Sequence, residues 1–192
     1  IQFGAVARPS HMYTSWDAAK FVVCSHKWAG YGEPNYGVAL INDCKYGYDI
    51  HDGVMRLSLI KCGTDPNPEA DIGYHRFRYS LMPHGGSWRE AGVVNEAYSF
   101  NCPLIAKRAS GGGNLKEVYS FIQADKLNVI ISTVKEACDS EDIIVRMYES
   151  CGERTEVTIS VGVAVERVVE SNLIETEDIC DAELTGNSFK CQ

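Results

Sequence analysis

The residues that most constrain this 192-residue chain are Val157, Ile159, Val161, Val163 and Val165. Five β-branched side chains recur at every second position, with Thr158, Ser160, Gly162 and Ala164 between them. Successive strand side chains point to opposite faces, so this period matches a half-buried antiparallel strand and no helix. Met55-Arg56-Leu57-Ser58-Leu59 and Phe77-Arg78-Tyr79-Ser80-Leu81 repeat the alternation. Segments 20–28, 36–41, 128–134 and 143–148 are further strand candidates. Turn residues separate them at Gly32-Glu33-Pro34-Asn35, His51-Asp52-Gly53, Asp65-Pro66-Asn67-Pro68 and Cys151-Gly152-Glu153.

One segment carries helical spacing. Trp88, Ala91, Val94 and Tyr98 fall on one face, Ser87 with Glu90 reads as a capping box, and Asn101-Cys102-Pro103 marks the end. The expected fold is therefore mainly β, an antiparallel β-sandwich class with one short helix. The run Ala109-Ser110-Gly111-Gly112-Gly113-Asn114 is the best linker. It predicts two domains, 1–108 and 109–192.

Composition narrows the partners. With 18 Lys+Arg against 26 Asp+Glu the chain carries −8, which disfavours nucleic acid and anionic membranes. No apolar run approaches the ~20 residues of a bilayer span, and no basic n-region precedes Ile1. The strand-like start at Ile1 is expected for a piece of a longer chain. Eight cysteines show no Cys-x-x-Cys pair, and there is no Asn-x-Ser/Thr sequon. These favour a reducing, cytoplasmic setting; Cys24 and Cys62, in apolar runs, are expected as buried free thiols.

The specific local sequences go further. His11-Met12-Tyr13-Thr14-Ser15-Trp16-Asp17 leads into Phe21-Val22-Val23-Cys24-Ser25-His26-Lys27-Trp28. Then come Tyr36-Gly37-Val38-Ala39-Leu40-Ile41 and Asn42-Asp43-Cys44-Lys45-Tyr46-Gly47-Tyr48, and later Leu81-Met82-Pro83-His84. This resembles the C-terminal region of glycoside hydrolase family 38 α-mannosidases, nearest the cytosolic and vacuolar branch. Past the linker, Val134-Lys135-Glu136-Ala137 and Val145-Arg146-Met147-Tyr148-Glu149 look like the family's terminal β-sandwich. Tyr13 stands where the family usually has Asn, and the family continues into a last strand beyond a stretch like Ser188-Phe189-Lys190.

The resemblance implies a retaining glycosidase in which an Asp attacks the anomeric carbon and a carboxylic acid protonates the leaving oxygen. A zinc ion held by His and Asp grips sugar hydroxyls. In the family those groups lie in an N-terminal barrel and the helices after it, so no catalytic residue and no zinc ligand maps onto this chain. Zinc is expected in the full-length enzyme only. The expected partners are that catalytic barrel, a mannose-containing oligosaccharide and a homo-oligomer, in the cytoplasm first and the vacuole or lysosome second. The chain alone is expected not to cleave glycosides. A free-standing mannose-binding module and a purely structural assembly domain are the alternatives.

The candidate sugar contacts are Asn42, Asp43, Lys45, Tyr46 and Tyr48, where amide, carboxylate, ammonium and two phenols crowd a strand end. Such groups hydrogen-bond sugar hydroxyls, and tyrosine rings stack on a pyranose. A polar hairpin with Asx-turn bonds explains the same run. Trp16 and Asp17 form a second candidate pair, with Trp16 as a sugar platform or a core side chain opening a strand, and Asp17 as a cap or turn acceptor. His11 with Asp17 and His51 with Asp52 are not aimed together by any strand period, so no metal site is expected here. His26 reads as a hydrogen-bonded core residue. Glu141-Asp142 and Glu175-Thr176-Glu177-Asp178 read as solvated turns.

Overall fold

The computed structural model describes residues 1–114 and 116–192. It divides into two compact units, Ile1–Leu104 and Ile105–Gln192. The Ala109–Asn114 run thus lies inside the second unit. The chain is mainly β; among the described residues the strands pair antiparallel and two segments are helical.

The first unit holds α1 (Ser15–Ala18), β1 (Val23–Cys24), β2 (Trp28–Glu33), β3 (Tyr36–Asn42), β4 (Gly47–His51), β5 (Val54–Leu57), β6 (Tyr79–Gly85) and α2 (Val93–Asn101). Its central sheet runs β2-β3-β6, and a second sheet runs β1-β4-β5. Alternation along β3 splits the core. Leu40, with Ala29 opposite it, packs on Tyr48, Val23, Ile50, Met55 and Leu57 of the second sheet. Ala39 and Ile41 face the other way, towards Val93 and Ala97 of α2, with Trp28, Met82 and Trp88 around them. The central sheet therefore carries a sheet on one face and a helix on the other.

The second unit holds β7 (Ile122–Ala124), β8 (Val129–Glu136), β9 (Ile143–Glu149), β10 (Val157–Val161), β11 (Val169–Ser171), β12 (Asp178–Asp181), β13 (Leu184–Thr185) and β14 (Ser188–Cys191). A four-stranded sheet, β13-β14-β10-β7, accompanies the hairpins β8-β9 and β11-β12. Val157, Ile159 and Phe189 of that sheet pack with Val129 of β8 and Met147 of β9. This is sandwich packing, in which two apolar faces close on each other.

Several expected boundaries move. The period-two run ends at Val161, because β14 reaches only Ser188 opposite Ser160 and β7 only Ile122 opposite Val161. Val163 is left exposed without a partner strand. The 77–81 strand is displaced to Tyr79–Gly85 and runs through Pro83. That is tolerated because β6 is an edge strand, where a missing N–H breaks no ladder bond. The 20–28 strand is broken between β1 and β2, with Lys27 at φ 64°. The Ser87–Glu90 box forms, with Ser87 Oγ and N–H both donating to Glu90 Oε2. Helical assignment begins only at Val93, because Gly92 takes φ 65° and interrupts the first turn. Cys24 and Cys62 are free thiols but exposed, which corrects their expected burial.

Candidate functional site

The 42–49 segment is built around one buried amide. Asn42 ends β3 and Tyr48 lies in β4, both fully buried. Asn42 Nδ2 donates to the Tyr48 hydroxyl, which donates onward to the Leu40 carbonyl at 3.3 Å. Asn42 Oδ1 accepts from the backbone N–H groups of Cys44 (3.0 Å) and Lys45 (2.6 Å), an Asx turn. Its carbonyl accepts from Asn101 Nδ2 of α2 at 3.0 Å. Burial pushes the Tyr48 phenol up to about 12 despite the Asn42 bond. Asn42 and Tyr48 thus serve the hairpin itself and offer no polar surface to a ligand.

The neighbouring side chains differ. Partial burial would raise the Asp43 carboxyl, but hydrogen bonds from the Arg78 N–H and Nε, both 2.9 Å, outweigh it and hold the group at about 2. Arg78 also covers the Phe100 ring at 5.0 Å. Lys45 Nζ lies 5.2 Å from the Phe77 ring centre. Tyr46 is 54% exposed, its ring tilted against His26 with centroids 5.4 Å apart. The loop is therefore rigid at its base and presents one aromatic side chain.

A cleft of about 570 Å³ opens elsewhere in the first unit. Arg8, His11 and Asp17 from the N-terminal segment line it together with Trp28 of β2, Asp49 and His51 of β4, and Trp88. Trp28 and Trp88 sit 5.1 Å apart, with the Arg89 guanidinium 4.3 Å from the Trp88 ring centre. His51 lies between Asp49 (3.3 Å) and Asp52 (3.1 Å), while Arg56 pairs with Asp49 at 2.8 Å. Half-buried aromatic faces beside carboxylates and imidazoles suit a polyhydroxylated ligand.

Of the expected contacts, only Tyr48 and Asp17 line this cleft. Asp17 caps α1: it accepts from the Thr14 N–H and hydroxyl, and its own N–H donates to Thr14 Oγ1. Trp16 is 78% exposed in that four-residue helix and belongs to no core, so it does not open a strand as expected. His26 is half-buried, and its Nδ1 has no hydrogen-bond partner among the described residues, against the expected bonded core histidine. His11 and Asp17 do converge, at 3.7 Å. Among the described residues no group of three His, Cys, Asp or Glu side chains could hold a metal ion.

Sequence reasoning missed Arg78 and Asn101, which hold the loop from 35 and 59 residues away. It also missed Glu175, which is a buried clamp and not a solvated turn residue: its side chain is 7% exposed between Lys135 Nζ (2.8 Å) and Arg146 Nη2 (2.7 Å). No local pattern announces such pairs.

Short antiparallel strands in two units, with a tyrosine-bearing hairpin and an aromatic-lined cleft in the first, define a protein of the β-sandwich class. Comparison with known proteins gives the family. The family model "Glycosyl hydrolases family 38 C-terminal domain" matches residues 1–69. The model "Glycosyl hydrolases family 38 C-terminal beta sandwich domain" matches residues 128–190. The chain belongs to the C-terminal region of glycosyl hydrolase family 38. It is 38% identical over 181 residues to Alpha-mannosidase 2C1 of Homo sapiens, covering 93% of this chain and 17% of that protein. It is 37% identical over 192 residues to Alpha-mannosidase G of Dictyostelium discoideum, covering 99% and 18%. The chain therefore spans less than a fifth of the length of these relatives. An alpha-mannosidase structure from Enterococcus faecalis shares the fold with a TM-score of 0.77 at 20% identity, covering 99% of this chain and 23% of that one. No helix among the described residues is long and apolar enough to cross a membrane.

Proposed function

We propose that this chain acts as the non-catalytic C-terminal β-region of a retaining, zinc-dependent α-mannosidase that cleaves mannose-containing glycans in the cytosol. In this reading a separate N-terminal barrel supplies the nucleophile, the acid and the metal. The 42–48 loop forms part of the active-site rim, and the two β-units support the barrel and the oligomer.

The observation that carries the rim role is the contrast within the loop. Asn42 and the Asp43–Arg78 pair fix the backbone, while Tyr46 stays 54% exposed. A fixed aromatic ring loses little freedom when it stacks on a sugar. In an enzyme that contains both this region and the barrel, Tyr46→Ala should lower kcat/KM on an α-mannoside by roughly tenfold, the effect of losing one stacking contact. Asp43→Asn should lower it less, by loosening the loop. An unchanged kcat/KM for both removes the loop from the site. The isolated chain should release nothing from a chromogenic α-mannoside.

One observation favours a second reading, a mannose-binding module. The Trp28–Trp88 pair and the carboxylates of the 570 Å³ cleft form a pocket within this chain alone. Titration of the chain with mannose, followed by NMR, separates the two. Saturable shifts at Trp28 and Trp88 support the module, and silence supports the accessory role.

A further inference from the structure

The turn between β11 and β12 exposes two large aliphatic side chains side by side, Leu173 at 84% and Ile174 at 74%. Exposed aliphatics at a floppy loop tip would need no explanation. This tip is held. Asn172 closes the turn, accepting the Thr176 N–H and donating to its hydroxyl, each at 3.0 Å. Glu175, at φ 63°, turns its carboxylate inward onto Lys135 of β8 and Arg146 of β9 and accepts the Cys138 N–H at 3.3 Å. Arg146 Nη2 also donates to the Leu173 carbonyl at 3.2 Å. Two ion pairs and the turn bonds thus fix an apolar pair outward. Pre-ordering of this kind lowers the entropy cost of binding.

The surroundings specify the partner. The clamp joins the turn to the tip of the β8-β9 hairpin, closed by the Ala137 N–H to the Asp142 carbonyl. That tip carries Asp139, Glu141 and Asp142, and Glu177 follows the apolar pair. None of these four forms an ion pair among the described residues. Residues 105–192 hold nine Lys+Arg against sixteen Asp+Glu, so this unit carries −7 of the chain's −8. An apolar contact in a unit of net negative charge, with carboxylates on its own turn and on the neighbouring hairpin tip, complements an apolar contact flanked by positive charge.

We infer that the Leu173–Ile174 knob is a docking point for a basic amphipathic segment of another polypeptide, its apolar face on the knob and its Lys or Arg side chains on Asp139, Glu141 and Glu177. The inference stands apart from any sugar-binding role.

The test titrates the full chain with a synthetic Lys/Leu amphipathic peptide, followed by NMR. A permuted peptide of the same composition and a Glu/Leu peptide are the controls. Shifts should concentrate at 139–142 and 173–177, and added salt should weaken binding. Leu173→Ser with Ile174→Ser, both on exposed side chains, should weaken binding about tenfold or more, as expected when two aliphatic contacts are lost. Asp139→Asn with Glu141→Gln should weaken binding and flatten the salt dependence. Equal affinity of the double serine variant overturns the inference, as does equal binding of either control peptide. A dimer in sedimentation that the serine variant dissociates also overturns it, by assigning the knob to a second copy.

Discussion

The Asn42 amide donates to the Tyr48 hydroxyl inside the first unit, and the same Asn42 side chain accepts two backbone N–H groups of the loop that joins them. Tyr48→Phe removes the acceptor and leaves a buried amide N–H without it, so it should cost about 1–3 kcal/mol of stability. Asn42→Ala loses the turn bonds as well and should cost more. Urea unfolding curves of the two variants give the comparison; equal midpoints with the parent would show that the pair contributes nothing net.

The Asp43 and Glu175 carboxyls both titrate at about 2, well below their ordinary values. For Asp43, burial opposes the shift and the Arg78 hydrogen bonds produce it; for Glu175 the Lys135 bond leads. Both groups bind a proton less readily folded than unfolded. Their stabilisation is therefore full above the unfolded carboxyl range and is lost as pH falls from about 4.5 towards 2. Asp43→Asn and Glu175→Gln should each flatten the acid limb of a stability-versus-pH curve. A limb as steep as the parent's would place the acid sensitivity in other carboxylates.

Positions 162 and 92 favour glycine for different reasons. A Cβ on Gly162 would stand 2.6 Å from the Ser120 carbonyl oxygen and 2.6 Å from the Tyr119 hydroxyl. Gly92 has open space but φ 65°. Gly162→Ala should therefore lower Tm sharply, because backbone must move, while Gly92→Ala should cost only about 1 kcal/mol from left-handed strain. The reverse order in thermal melts would contradict this packing.

The cysteines give a chemical readout. Six of the eight thiols are exposed in the folded chain: Cys24, Cys44, Cys62, Cys102, Cys138 and Cys180. A thiol reagent should modify these before Cys151 and Cys191, with Cys44 and Cys180 slowest of the six. Hydrogen bonding to Asp43 and to Glu170 raises their respective pKa values and lowers the thiolate fraction. Mass spectrometry of partially labelled protein would report the order; rapid labelling of Cys191 would contradict its burial.

Much of the fold was legible locally. Alternation at 157–161 marks a strand with one buried face, because the pleat sends every second side chain to the core, and the unbroken apolar run at 36–41 marks a strand buried on both faces. The Asn101–Pro103 stop lies at the end of the helix it terminates, whereas the Ser87–Glu90 box forms but holds a turn ahead of α2, whose N-cap is Gly92. Asp17 was likewise readable as a cap. The family was legible because runs such as Asn42–Tyr48 are specific as strings, whatever their role. Their role was not legible. The same amide, carboxylate and phenols serve equally as ligand contacts or as hairpin braces, and the choice depends on Arg78 and Asn101, which are distant in the chain.

The amino-acid sequence by itself determined the β architecture, the turns and the membership in family 38, since each rests on short-range periodicity or on residue identity. Tertiary structure alone decided where strands stop, which loop residues are buried and which acids are clamped. Val157–Val165 ends as a strand at Val161 because its partners end there. Glu175 looks like part of a solvated acidic run until Lys135 and Arg146 are brought beside it, 40 and 29 residues away. Strand pairing and ion pairing are long-range contacts, so their outcome is set by the assembled sheet and not by the local string.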